Sequence, residues 1–118
     1  MGVNRVVGDA GEDAVSSWYQ ARGFRVVDRN WRVSAGEIDL VARISATIVF
    51  CEVKTRRGNA YGAPAEAVTA RKQARLRTLA TLWLGAHRLR CDVVRFDVAS
   101  VRPNGRGAWL VDVLEGAF

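Results

Sequence analysis

Gly36-Glu37-Ile38-Asp39-Leu40-Val41-Ala42-Arg43-Ile44 and Thr47-Ile48-Val49-Phe50-Cys51-Glu52-Val53-Lys54-Thr55-Arg56 are two extended runs joined by Ser45-Ala46. Their apolar, β-branched character and the short break between them predict a β-hairpin. A loop of two or four residues centred on Ser45-Ala46 sets Asp39 opposite Glu52 and Glu37 opposite Lys54. Period-two geometry then puts all four side chains on one face, with Ile38, Leu40, Ala42, Cys51 and Val53 on the other, core-facing side. Directly opposed carboxylates, with Cβ atoms about 4.5–5.5 Å apart, repel each other. A divalent cation would relieve that repulsion, and two carboxylates with a nearby carbonyl make a hard oxygen site of the kind Mg²⁺ or Mn²⁺ accepts.

An ordinary solvated sheet face also alternates its charges. Two features favour a site instead. Val41, Ile48 and Phe50 flank the acidic pair on its own face, and Lys54 is one of only two lysines among 18 basic residues. Where arginine dominates so strongly, a surviving lysine suggests a place that needs a compact ammonium rather than a planar guanidinium.

Outward from the hairpin, residues 9–22 place Ala14, Val15, Trp18 and Ala21 at helical spacing and end at Gly23, a left-handed cap. Residues 24–28 read as a strand and residues 29–32, RNWR, as a basic turn or loop. Residues 58–68 form a loop with two glycines and a proline. A second helix over residues 69–87 follows, with Leu76, Leu79, Ala80, Trp83 and Leu84 as its buried stripe. Strands at residues 92–98 and 109–114 are separated by the turn RPNGRG. A helix between the third and fourth strands predicts a right-handed crossover to a parallel neighbour. The chain therefore reads as one α/β domain over residues 1–118, a mixed sheet with helices packed on it.

With 118 residues and 49% apolar content the chain can build one core. It has no run of about 18 apolar residues and no secretory pattern at its start, which predicts a cytoplasmic protein with no membrane partner. Cys51 and Cys91 lie in apolar runs with no CxxC pattern, so they read as reduced core thiols rather than a zinc site or a disulfide. The net charge of +6 favours a polyanionic partner such as nucleic acid. Arg71 and Lys72 fall in the first turn after the candidate cap Thr69, where cations oppose the helix dipole unless an anion sits there; solvated surface residues are the plainer alternative. Arg29, Arg32, Arg56 and Arg57 are further candidates for phosphate contacts, and Trp31 either stacks on a base or joins the core. The single histidine, His87, reads as a helix-end residue rather than a ligand.

G-E-I-D-L at 36–40 and E-V-K-T-R at 52–56, with G-E-D-A at 11–14 in a first helix and R-N-W-R at 29–32, resemble the YraN-like family of small, largely uncharacterised bacterial proteins. That family is similar in turn to archaeal Holliday-junction resolvases and to restriction-endonuclease-like nucleases. The resemblance implies a restriction-endonuclease-like core, a mixed sheet of about five strands flanked by helices. It makes Asp39 and Glu52 metal ligands, with the Val53 backbone carbonyl as a third, and Lys54 the catalytic lysine. Glu12 corresponds to a first-helix glutamate that completes such sites, although Asp9 to Glu12 also has the spacing of a capping box. Glu37 is expected to support Lys54 by cross-strand pairing. The implied activity is that of a Mg²⁺- or Mn²⁺-dependent endonuclease hydrolysing phosphodiester bonds in DNA rather than RNA, with branched or structured DNA as substrate and a homodimer allowed. The rival reading is a non-catalytic nucleic-acid-binding module that keeps the fold.

Overall fold

The structure, a computed structural model, describes residues 3–56 and 68–118, with side chains from Asp9 onward. The loop expected at residues 58–68 therefore lies, save Val68, outside the described residues, and so does Arg57. The elements run α1 (Val3–Ala21), β1 (Arg25–Val33), β2 (Gly36–Ile44), β3 (Thr47–Thr55), α2 (Ala70–His87), β4 (Val93–Pro103) and β5 (Trp109–Leu114). The strands form a single sheet in the order β1-β2-β3-β4-β5. Only β3 and β4 pair in parallel, and α2 makes the crossover between them; the other pairs are antiparallel. This is the mixed five-stranded α/β arrangement of a restriction-endonuclease-like core.

The β2–β3 hairpin has the expected register, with Ile44 opposite Thr47 and the ladder continuing to Leu40 opposite Cys51. Both faces of the sheet are apolar because each receives a helix. On one side Val15 and Tyr19 of α1 pack on Leu40, Ala42, Val49, Cys51, Ala99 and Val101. On the other, Leu76, Leu79, Ala80 and Trp83 of α2 pack on Ile38, Val41, Ile48 and Phe50. Each such aliphatic or aromatic side chain, fully buried, contributes about 1.5–3 kcal/mol. Ile38 thus sits on the α2 side, not beside Leu40 as strict alternation predicts. The alternation breaks at Asp39, where β2 leaves its ladder with β3 while staying paired to β1 through Trp31 and Ile38.

Three boundaries differ from the sequence expectation. α1 begins at Val3, so Asp9 lies inside the helix and the capping box from Asp9 to Glu12 does not form. On its buried face Tyr19 is fully covered, whereas Ala21 is exposed. Residues 29–32 are not a turn: β1 continues through them, absorbing a register shift between Val26 and Asp28 and a left-handed Asn30 at φ 53°. β1 is an edge strand, where such irregularities are tolerated. β4 extends to Pro103, and the turn after it is closed by Asn104, whose Oδ1 accepts from Arg106 and Ala108 N–H groups.

α2 matches its predicted ends. Thr69 Oγ1 caps it by accepting from Lys72 N–H at 3.2 Å, and Arg88 at φ 50° closes it. Trp31 is half-buried against the α2-side core and meets His87 edge-on. His87 is the last residue of α2 and stacks on Trp83, with Nε2 3.6 Å from Asp28. Cys51 is buried and Cys91 half-buried, both as free thiols. Among the described residues no helix is long and apolar enough to cross a membrane.

Candidate metal and phosphate site

The break in the β2–β3 ladder creates the site. A continued ladder would pair Val53 with Ile38; instead the Val53 N–H donates to Asp39 Oδ2 at 2.9 Å. N–H and C=O of one strand residue point the same way, so the Val53 carbonyl also faces the β2 side. Asp39 and Glu52 line a common cleft of about 250 Å³ with Gly36, Glu37, Lys72, Arg75, Leu76 and Leu79. Lys54 joins them through its Nζ, 3.3 Å from Glu52 Oε1. Gly36, at φ 146°, lets the start of β2 pass against Leu79 and Arg75 of α2.

Electrostatics single out Asp39. Burial first, then the neighbouring Glu52 charge, with smaller effects from Glu12 and Glu37, push its carboxyl up to about 7 against the Val53 hydrogen bond that lowers it. Glu12 is also raised, chiefly by burial, against the lowering influence of the Asn30 side chain and the Arg29 charge. Its Oε1 is buried with no hydrogen-bond partner among the described residues, since Arg29 Nη2 at 3.8 Å is too distant. Burial opposes charge on Lys54, but the Glu52 and Asp39 carboxylates carry it above its ordinary value, while the neighbouring Lys54 ammonium lowers Lys72.

This donor set fits a hard divalent cation of the two-carboxylate kind. The repelling, partly buried Asp39–Glu52 pair and the orphaned Glu12 oxygen supply the kind of oxygen donors such an ion takes. Among the described residues no three acidic, histidine or cysteine side chains converge closely enough to form a cage. Mg²⁺ does not require one, since it is commonly held by one or two carboxylates plus water and phosphate oxygens.

The remaining candidates separate into two groups. Arg71 is exposed at the start of α2, and Lys72, half-exposed beside it, lines the cleft. Arg29 is instead bound to Asp13 at 2.8 Å, and Arg32 lies 3.5 Å from Glu37. That last contact corrects the expected Glu37–Lys54 pairing: β2 follows β1 beyond Leu40, so Glu37 meets Arg32 opposite it, and Lys54 pairs with Glu52 on its own strand. The Arg56 N–H is fixed by the Val101 carbonyl at 2.7 Å. Two residues of the site escaped the sequence reading. Arg75 follows Lys72 by about one helical turn and is open to detection on the Leu76/Leu79 face, whereas nothing in sequence spacing marks the influence of Asn30 on Glu12.

A family model described as uncharacterised protein family UPF0102 matches residues 11–101, from the start of the GEDA stretch through most of β4. Similar proteins include a UPF0102 protein of Frankia casuarinae, 45% identical over 118 residues and covering all of both chains. Others are those of Beutenbergia cavernae, 47% identical, and Symbiobacterium thermophilum, 46% identical, each over 116 residues and 98% of both chains. This chain belongs to the UPF0102, or YraN-like, family.

Proposed function

We propose that this protein is a Mg²⁺- or Mn²⁺-dependent endonuclease that hydrolyses phosphodiester bonds in DNA, with branched or structured DNA as its substrate. The observation that carries the reading is the half-buried Asp39–Glu52 pair in the cleft where the β2–β3 ladder ends, with both of the chain's lysines at its edge. Asp39 and Glu52, with the Val53 carbonyl, would hold the ion. When bound, it would supply Lewis acidity toward the phosphoryl oxygens and lower the pKa of an adjacent water. Lys54 orients that water and stabilises the negative charge that grows on the phosphoryl oxygens, while Glu12 completes the acidic set. Lys72 and Arg71, beside the free N–H groups of the α2 start, grip the substrate phosphate. The cytoplasm is the compartment this reading assigns to it.

One observation favours the rival reading of a non-catalytic nucleic-acid module: the Lys54–Glu52 ion pair already neutralises one carboxylate without a metal. Metal linkage discriminates between them. An ion that binds only the folded hairpin should raise thermal stability, by about 2.7 kcal/mol at a concentration 100 times its Kd. The Mn²⁺ shift should shrink sharply in Glu52→Ala. Equal shifts in wild type and variant would place the metal elsewhere and remove the basis of the endonuclease reading.

A further inference from the structure

α1 approaches β3 more closely at Gly11 than any residue with a side chain would permit. A Cβ built on Gly11 would fall inside van der Waals contact of Thr55 Oγ1, with Thr55 Cγ2 at 3.1 Å and Cβ at 3.2 Å. Gly11 is buried in the interior of a helix, where glycine is a poor former. Its backbone is not left-handed, so what the fold uses is the missing side chain rather than conformational freedom. The next residue is Glu12, whose buried Oε1 has no hydrogen-bond partner among the described residues, whose charge is felt at Asp39 and whose carboxyl pKa the Asn30 side chain of β1 lowers. Asn30 stands in the left-handed conformation at the point where the β1–β2 register skips the pair with Asp39. Beside it Arg29 ties β1 to α1 through Asp13 at 2.8 Å.

We infer that Gly11 is a positioning residue: its contact with Thr55 sets the depth at which α1 docks on β3 and thereby holds the Glu12 carboxylate at Asp39. The inference rests on the reading of Glu12 as part of the metal site. A methyl group at residue 11 must drive the helix and strand apart, and a misplacement on the order of 1 Å is enough to impair a site strongly. Rotation about χ1 can turn Oγ1 away but leaves Thr55 Cβ at 3.2 Å, tighter than ordinary contact, and a β-branched residue has few other rotamers to adopt.

The test uses the full chain as wild type, Gly11→Ala, Thr55→Ala, the double variant and Glu12→Gln. Two quantities are read: Mn²⁺ affinity by calorimetry, and the proton shift of the Asn30 side-chain amide by NMR in metal-free protein. Gly11→Ala should weaken Mn²⁺ binding about tenfold or more, the range expected when a supporting contact is lost. It should also move the Asn30 amide signal to its position in Glu12→Gln. Removing the Thr55 γ atoms in the double variant should restore both readings toward wild type, and Thr55→Ala alone, which loosens the same contact, should shift them less than Gly11→Ala does. A folded Gly11→Ala protein with wild-type Mn²⁺ affinity and Asn30 shift would overturn the inference. So would a double variant that recovers neither reading. Should Gly11→Ala not fold alone, recovery of fold and both readings in the double variant supports the inference and its failure refutes it. Absence of Mn²⁺ binding in wild type would refute the metal reading, while the Asn30 signal would still decide whether Gly11 places Glu12.

Discussion

Asp39 carries the cost of the site. Its carboxyl sits at about 7 in the fold against an ordinary 3.8, so the folded state holds the proton more tightly than the unfolded chain does. The stability this lends is complete below about pH 4 and is lost as the pH rises through about 7. Asp39→Asn, which keeps an acceptor for the Val53 N–H, should therefore stabilise the metal-free protein at pH 8 by on the order of 2 kcal/mol and leave it nearly unchanged at pH 4. Urea unfolding at the two pH values checks this, and equal effects at both would show that Asp39 is not held under repulsion. By the same linkage Mn²⁺ affinity should fall as the pH drops below about 7, because proton and metal compete for one carboxylate. Lys54 and Lys72 divide differently. Lys54→Ala should abolish cleavage with a modest loss of DNA affinity, and Lys54→Arg should bind yet cut poorly, since a planar guanidinium does not replace a compact ammonium. If both Lys54 variants cut at wild-type rates in single turnover, the assigned role is wrong. Asp39, Glu52 and Lys54 stand out in the sequence as charged positions of one hairpin, which turn length and period place. The expected cross-strand pairings of Asp39 with Glu52 and of Glu37 with Lys54 do not form in the ladder, because that register stops at Leu40, where β2 parts from β3.

At the scale of elements, α1 is anchored by a group that no periodicity reveals. Asp97 of β4 is fully buried, accepting from Tyr19 Oη at 2.5 Å, from the Arg95 guanidinium at 2.9 Å and from Gly116 N–H at 3.0 Å. This network joins the helix that bears Glu12 to the strand beside β3, and burial with the Asp97 charge pushes the Tyr19 phenol far upward, so it remains a donor. Removing one partner of a buried charge pair leaves the other uncompensated. Asp97→Ala should cost about 3–5 kcal/mol by urea unfolding; a loss below about 1 kcal/mol would mean that α1 docks by apolar packing alone. The helices and the β2–β3 hairpin were readable from their apolar spacing, and the α2 cap from Thr69. Continuation of β1 through residues 29–32 was not, because Asn30 in a left-handed conformation looks in sequence like the turn residue it elsewhere is. The role of Tyr19 carries no local signal in the sequence, because its hydroxyl partner lies 78 residues away.

Over the whole molecule, the net charge of +6 makes binding to a polyanion strongly dependent on salt. Arg29, Arg32 and Arg95 are engaged with carboxylates, which shifts the expected phosphate contacts toward the start of α2. Lys72→Ala should therefore weaken DNA affinity and make the slope of log affinity against log salt shallower by up to about one unit, whereas Lys72→Arg should leave both nearly unchanged. An unchanged slope in Lys72→Ala would remove the phosphate from this end of the cleft. The most direct test of the central claim is a cleavage assay with purified protein, Mg²⁺ or Mn²⁺, and linear, flapped and four-way-junction DNAs, run beside Asp39→Asn. Metal-dependent cutting of a branched substrate by wild type, lost in Asp39→Asn while the variant still binds, is the predicted result; binding without cutting by wild type on every substrate with either metal would contradict it.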